Sequence, residues 1–206
     1  MSLALSCAGP TPAASPSLRV HGADDSERAE VEQFIRSVYA ERFGARVHRF
    51  TPCLVSLRDG DGRIVAAAGY RFAAGAPLFL ERYLDEPIEA ALAHRAGAAP
   101  SREGIVEVGH LASVRAGEGR RLILALGPHL AALGGHWVVS TLTEELRHLF
   151  VRIGVTPLAL GLADPARLGD DAADWGRYYE HQPVVLAGHL PLALRILARR
   201  QRGSTA

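Results

Sequence analysis

Residues 105–133 read Ile-Val-Glu-Val-Gly-His-Leu-Ala-Ser-Val-Arg-Ala-Gly-Glu-Gly-Arg-Arg-Leu-Ile-Leu-Ala-Leu-Gly-Pro-His-Leu-Ala-Ala-Leu. The first third is rich in β-branched residues and predicts a mostly buried strand over Ile105–Val114. Two glycines follow, Gly117 and Gly119. Leu122, Ile123, Leu126, Leu130 and Leu133 then recur at helical spacing. A strand that runs through a glycine loop into a helix leaves unpaired backbone N–H groups at the helix start, where they favour an anion. Gly119 is expected at or just before that start. Inside the strand sits Glu107, a carboxylate between Val106 and Val108. An acid on a buried strand beside an anion cradle suits group transfer, and equally suits a plain strand-to-helix turn.

Outward from this stretch, Asp24, Asp25 and Ser26 offer caps for a helix over Glu27–Phe43 that Gly44 ends. Leu54–Leu57 and Ile64–Phe72 read as strands joined by Asp59-Gly60-Asp61-Gly62, a hairpin signal. A helix over Pro87–Ala96 begins on its proline. Beyond the central unit, a strand is expected over His136–Leu142, a helix over Glu144–Ile153 and strands over Val155–Leu160 and Val184–Ala187. Residues 163–179 lack a period. Leu192–Gln201 reads as an amphipathic helix within a basic C-terminal segment, 191–206.

Composition excludes several classes. The 206 residues are 48% apolar and 22% charged, as in an ordinary globular domain. A net charge of +1 argues against nucleic-acid binding through a general basic field, although every base is an arginine. Cys7 and Cys53 have no metal-ligand spacing, and neither a metal nor a disulfide is expected. Residues 1–17, rich in Ala, Ser and Pro, read as a disordered leader without the features of a secretory signal, and the expected location is cytoplasmic. Leu122–Thr143 carries no Asp, Glu, Arg or Lys and is long enough to cross a bilayer. Gly127-Pro128 and Gly134-Gly135 interrupt it, and His129 and His136 would sit in lipid, so a core helix and strand are the expectation.

The order of elements resembles the GNAT-type acyltransferase fold, a single mixed α/β domain here assigned to residues 18–190 with a central mixed sheet flanked by helices. Its donor loop, Gln/Arg-x-x-Gly-x-Gly/Ala, is similar to Val114-Arg115-Ala116-Gly117-Glu118-Gly119, with Val at the first position. The resemblance implies an acyl-CoA or acyl-phosphopantetheine donor held by Val114 to Arg120. Phe150-Val-Arg-Ile-Gly154 looks like the fold's Tyr-x-x-x-Gly segment, with Phe in place of the tyrosine that often serves as acid. Four blocks resemble the bacterial thermostable hemolysin family over residues 26–190: Gly69-Tyr70-Arg71, Leu78 to Leu84, Glu107 to Ser113, and Trp175 to Glu180 with Pro183. Glu107-Val-Gly-His110 is also similar to the Glu-x-Ser-Arg strand of acyl-homoserine-lactone synthases, with histidine replacing arginine.

These resemblances imply an N-acyltransferase that passes an acyl group from acyl-CoA or an acyl-carrier protein to a small amine or amino-acid-like acceptor. A carboxylate can take the proton of an attacking amine, directly or through water, which makes Glu107 the candidate base. The alternative is a structural acid paired with Arg71 or Arg82. His110 is a candidate proton carrier or a core histidine. Arg71 and Glu81 are candidates to clamp the carboxylate and ammonium of the acceptor, or else form a solvated salt bridge. Trp175, Tyr178, Tyr179 and Glu180 gather aromatic and polar groups that suit either a substrate site or packing across the sheet edge. The arginine-rich C-terminus reads first as a solvated helix end; it would also suit an acidic carrier protein or anionic lipid, with membrane contact the less favoured. Two other readings stand beside the enzyme: a membrane-active haemolysin, and a degenerate GNAT-fold module that binds without turnover.

Overall fold

The computed structural model describes residues 18–97, 100–115 and 117–203. The expected leader over 1–17, Ala116 of the loop expected to hold a donor, and the last three residues lie outside them. Seven strands form one sheet: β1 (Leu18–His21), β2 (Cys53–Arg58), β3 (Ile64–Phe72), β4 (Ile105–Ser113), β5 (Trp137–Leu142), β6 (Leu158–Leu162) and β7 (Val184–His189). Their order is β1-β2-β3-β4-β5-β7-β6, and the β4–β5 pair is the parallel one, joined by a helical crossover. The helices are α1 (Arg28–Phe43), α2 (Ile88–Ala96), α3 (Glu118–Ala132), α4 (Glu144–Ile153) and α5 (Leu190–Gly203). This is a mixed α/β domain with helices on both faces of the sheet.

Alternation along the strands decides which helix each face meets. Val55, Leu57, Ala66, Ala68, Tyr70, Val106 and Val108 point to one face, where Leu122, Leu126 and Leu130 of α3 and Leu190 of α5 cover them. Leu54, Ala67 and Ala112 point to the other, against Val31, Ile35, Tyr39 and Phe43 of α1. Further along that second face, Ile105, Val139, Val185 and Ala187 pack on Ile88 and Leu92 of α2. The basic C-terminal segment is thus not a free appendage along α5. Leu194 packs against the α3 side of the core, and Gly127 keeps α3 bare where it approaches.

Local chemistry accounts for most boundaries. The Asp25 carboxylate accepts from Glu27 N–H at 2.7 Å, so helical φ/ψ begins just after it, and Gly44 closes α1 at φ 66°. The Asp59 side chain accepts from Asp61 and Arg63 backbone N–H groups and holds the β2–β3 turn, which Gly62 completes at φ 81°. β6 starts later than the expected Val155. Gly154 ends α4 at φ 91°, Val155 N–H returns to the Phe150 carbonyl, and Pro157 has no N–H to give a ladder. The segment expected to be irregular, 163–179, forms short 3₁₀ turns over Pro165–Trp175 and Tyr178–His181. No helix among the described residues is long and apolar enough to cross a membrane, and Leu122–Thr143 divides into α3, a glycine turn and β5.

Candidate active site

β4 and β5 pair only from Ile105↔Trp137 to Glu107↔Val139. Beyond that point β4 stays with β3 and β5 stays with β7, so the two strands part in the middle of the sheet. A cleft of about 570 Å³ opens on the α1 face of the gap. Its floor is β4 from Glu107 to Ser113, and its walls come from the end of α1, the 46–51 segment, the start of α3 and the 171–178 turns. A second pocket of about 90 Å³ lies on the α3 face, lined almost wholly by apolar side chains from α3, α4, α5 and β7. The two meet at Val108, Leu111 and Ile123, which line both.

A bulge shapes the floor. Between the pairs Gly69↔Gly109 and Ala67↔Ala112, β4 carries one residue more than β3. His110 takes φ 52° there, a left-handed conformation uncommon for a non-glycine residue. The extra residue reverses the alternation of β4, so that Ala112 faces α1 although Val106 and Val108 face α3, and it turns the His110 ring toward Phe50 and Tyr39, at centroid distances of 5.2 and 6.5 Å. Gly69 makes room for this arrangement. A Cβ on it would lie 2.1 Å from Thr51 Oγ1 and 3.2 Å from His110 Nδ1. His110 Nδ1 is sealed from solvent and has no hydrogen-bond partner among the described residues. Burial lowers the imidazole to about 4, against a weaker upward pull from the Arg49 backbone, so the ring is neutral at neutral pH.

Glu107 is buried on the floor, and three donors hold its carboxylate. Arg71 Nε donates to Oε2 at 2.6 Å, Phe79 N–H to Oε2 at 3.0 Å and Leu80 N–H to Oε1 at 2.9 Å. The pairing with Arg71 that the sequence left open therefore forms, across the adjacent β3–β4 register. The carboxylate also caps the 3₁₀ turn Phe79–Tyr83 and so fixes Phe79 and Tyr83 in the cleft wall.

The expected clamp of Arg71 with Glu81 does not assemble. Glu81 accepts from Leu78 and Ile88 backbone N–H groups and from Arg102, and it does not line the cleft. Burial alone would raise its pKa, but Arg102 and the two backbone donors outweigh that and lower it. Glu180 is exposed and away from the cleft, for its 3₁₀ turn presents Tyr178 inward instead. Trp175 and Tyr178 do line the cleft; Tyr178 donates to the Thr141 carbonyl at 3.2 Å, and burial holds its phenol well above the ordinary range. Tyr179 stands behind them, its hydroxyl 2.7 Å from that of Tyr83.

At the glycine loop, Gly117 precedes α3 at φ 98°, a conformation that favours glycine, and Gly119 lines the cleft with Ser113 beneath it. Glu118 is clamped by Arg121, both carboxylate oxygens at 2.9 Å from Nη1, which offsets its charge beside the helix start. Val114, Arg115 and Arg120 are exposed and do not reach the cleft. Phe150 lines the apolar pocket rather than the cleft. Sequence reasoning missed Arg42, Arg46, Arg49 and Asp174, which lie at the mouth. The only signal for the three arginines was their density between residues 42 and 49, and Asp174 had none.

Solved structures share this architecture at low identity. TofI in an apo form superposes with a TM-score of 0.63 at 19% identity, over 88% of this chain and 96% of that one. FeeM, an N-acyl amino acid synthase from uncultured soil microbes, gives 0.61 at 15% identity, over 90% and 95%. The CoA-dependent acyl-homoserine lactone synthase BjaI, solved with SAM and isopentyl-CoA, gives 0.61 at 15% identity, over 90% and 89%. The fold is GNAT-like, as the element order implied. No curated protein matches the sequence. Residues 21–194 match the family described as thermostable hemolysin, and the chain belongs to it.

Proposed function

We propose that this protein is an N-acyltransferase that moves an acyl group from a phosphopantetheine thioester, on coenzyme A or a carrier protein, to a small amine. The observation that carries this reading is that a cleft holding Glu107 and five arginines among aromatic side chains shares wall residues with a second, apolar pocket where β4 and β5 part. A thioester needs such a junction: its acyl chain seeks an apolar slot and its carbonyl carbon must face a nucleophile on the polar side. The names of FeeM and BjaI, both synthases that form N-acyl products or use CoA, support the same class.

In this reading the pantetheine arm passes Gly117 and Gly119 at the start of α3, where free backbone N–H groups favour the donor's phosphates. The acyl chain enters the apolar pocket, and Phe150 serves as its wall rather than as an acid. The amine nitrogen attacks the thioester carbon, the new C–N bond forms and the C–S bond breaks. Glu107 Oε1 accepts one protein donor and keeps a lone pair, enough to receive the amine proton through a water. That proton returns to the leaving thiolate, so the products are an amide and a free thiol. Arg71, fixed by Glu107, orients the acceptor.

The test is product mass spectrometry on the purified chain with a panel of acyl-CoA and acyl-carrier donors and amino compounds. The expected result is an amide and one thiol per amide. Thioester consumption no faster than in buffer, across the panel, would sink the enzyme reading. Red-cell lysis by the same preparation would move support to the membrane-active reading.

A further inference from the structure

We infer that the acceptor in this cleft is recognised through a carboxylate and an apolar body, as in an amino acid of no net positive charge with an aliphatic or aromatic side chain, and is not a net cation such as SAM. This rests on the acyl-transfer reading for its chemistry. Its own ground is the charge of the cleft. Arg42, Arg46, Arg49, Arg71 and Arg82 line it, against Glu107, Asp171 and Asp174. Every one of those carboxylates is already committed. Glu107 is held by Arg71 at 2.6 Å, Asp171 by Arg82 at 2.8 Å, and Asp174 by Arg46 at 2.9 Å with His48 at 3.6 Å. Arg42 turns outward to Glu145, which is not part of the lining. Arg49 makes no ion pair and no side-chain hydrogen bond among the described residues, yet it faces the mouth. Asp171 is held below its usual range first by Arg82 and more weakly by the charge of Arg49.

A cationic acceptor would therefore meet surplus positive charge and no uncommitted carboxylate, which opposes its binding in a partly desolvated site. Aromatic faces do not compensate. Arg82 lies over Phe79 at 5.4 Å, Arg42 over Phe43 at 5.3 Å and Arg36 over Phe50 at 4.8 Å, so guanidinium groups already occupy positions a sulfonium would need. Trp175 packs against Tyr39, Phe79 and Tyr178, with centroids 5.3 to 6.4 Å away, and its remaining surface lines the cleft. His110 adds no negative charge, for its ring is neutral. A carboxylate, in contrast, finds an unpaired guanidinium at the mouth, and an apolar side chain finds the aromatic wall.

Calorimetry on the full chain separates these cases. Phenylalanine, leucine, phenylalaninamide, SAM and free coenzyme A are titrated into the native protein and into Arg49→Ala, which alters an exposed side chain and leaves the core intact. Phenylalanine or leucine is expected to bind, with the amide and SAM at least about tenfold weaker, and Arg49→Ala is expected to weaken the amino acid about tenfold while sparing coenzyme A. Raising ionic strength weakens the amino acid more than it weakens Arg49→Ala binding. SAM binding tighter than either amino acid, or no amino-acid binding at all, overturns the inference. So does an Arg49→Ala loss confined to coenzyme A, which would assign the free charge to the donor. Thioester consumption with the same acceptors keeps the two readings apart. Transfer to cationic acceptors alone sinks this inference and leaves acyl transfer standing. Amino-acid binding without turnover with any donor sinks acyl transfer and leaves the charge selection.

Discussion

At the scale of single residues, Glu107 carries two duties that one substitution can separate. Its oxygens accept from Arg71, Phe79 and Leu80, a set only an ionised carboxylate satisfies on both sides. Glu107→Gln keeps the shape but turns an amide NH₂ toward some of those donors and leaves Arg71 without its partner. The expected cost is ~3 kcal/mol of stability, since removing one member of a mostly buried pair strands the other. If Glu107 also takes the amine proton, turnover per folded molecule falls on the order of 10²-fold as well. Thermal melting and single-turnover transfer on one preparation read both. A melting loss with unchanged turnover would make Glu107 a positioning residue only, and full stability would contradict the hydrogen-bond set. The sequence made the pairing with Arg71 visible as an option because both lie in apolar strands. It gave no sign of Phe79 and Leu80, because backbone donors carry no side-chain signature.

Elements were legible where periodicity and caps agree. The hairpin around Asp59 and Gly62, α1 ending at Gly44 and the β4–loop–α3 unit all follow from local rules that tertiary packing did not override. The bulge at His110 was illegible. Strict alternation puts His110 with Val108 on the α3 side, and only the one-residue offset against β3 brings it to the α1 side. Glu81 misled for a related reason: a glutamate beside a candidate arginine looks like a site, while its partners Ile88 and Arg102 are distant in sequence. The glycine loop supplies the prediction at this scale. A Cβ at Gly119 would lie 3.1 Å from Ser113 Oγ, tight but without a positive φ to strain. Gly119→Val is therefore expected to melt within a few degrees of the native protein while narrowing the cleft at the start of α3. Donor affinity, read by calorimetry with coenzyme A, falls by at least about tenfold. Unchanged affinity would make the loop structural only.

Across the whole molecule, the parted strands place a neutral imidazole, its Nδ1 without a partner among the described residues, at the centre of the sheet, and this ties global stability to pH. The folded state keeps His110 neutral down to about 4, while the unfolded chain takes up a proton near the ordinary value of 6.5. Between those values the unfolded state binds more protons, so stability falls as pH drops through this window. The stabilisation is fully present above 6.5 and gone below about 4. A second loss follows at lower pH, because Glu81, Glu30, Asp25 and Asp171 are held below their ordinary values of 4.5 and 3.8 and must be protonated as the acid limb deepens. His110→Asn tests the first stage, since asparagine tolerates the left-handed backbone of the bulge and does not titrate. The native protein is expected to lose melting temperature steadily from pH 6.5 to pH 4.5, whereas the variant stays nearly flat until the carboxylates titrate. The same slope in both proteins would mean that some other group governs the window and that the His110 imidazole is solvated. A flat variant with a lower melting temperature at pH 7 would show that the packing of His110 on Phe50 and Tyr39 stabilises the bulge independently of its charge.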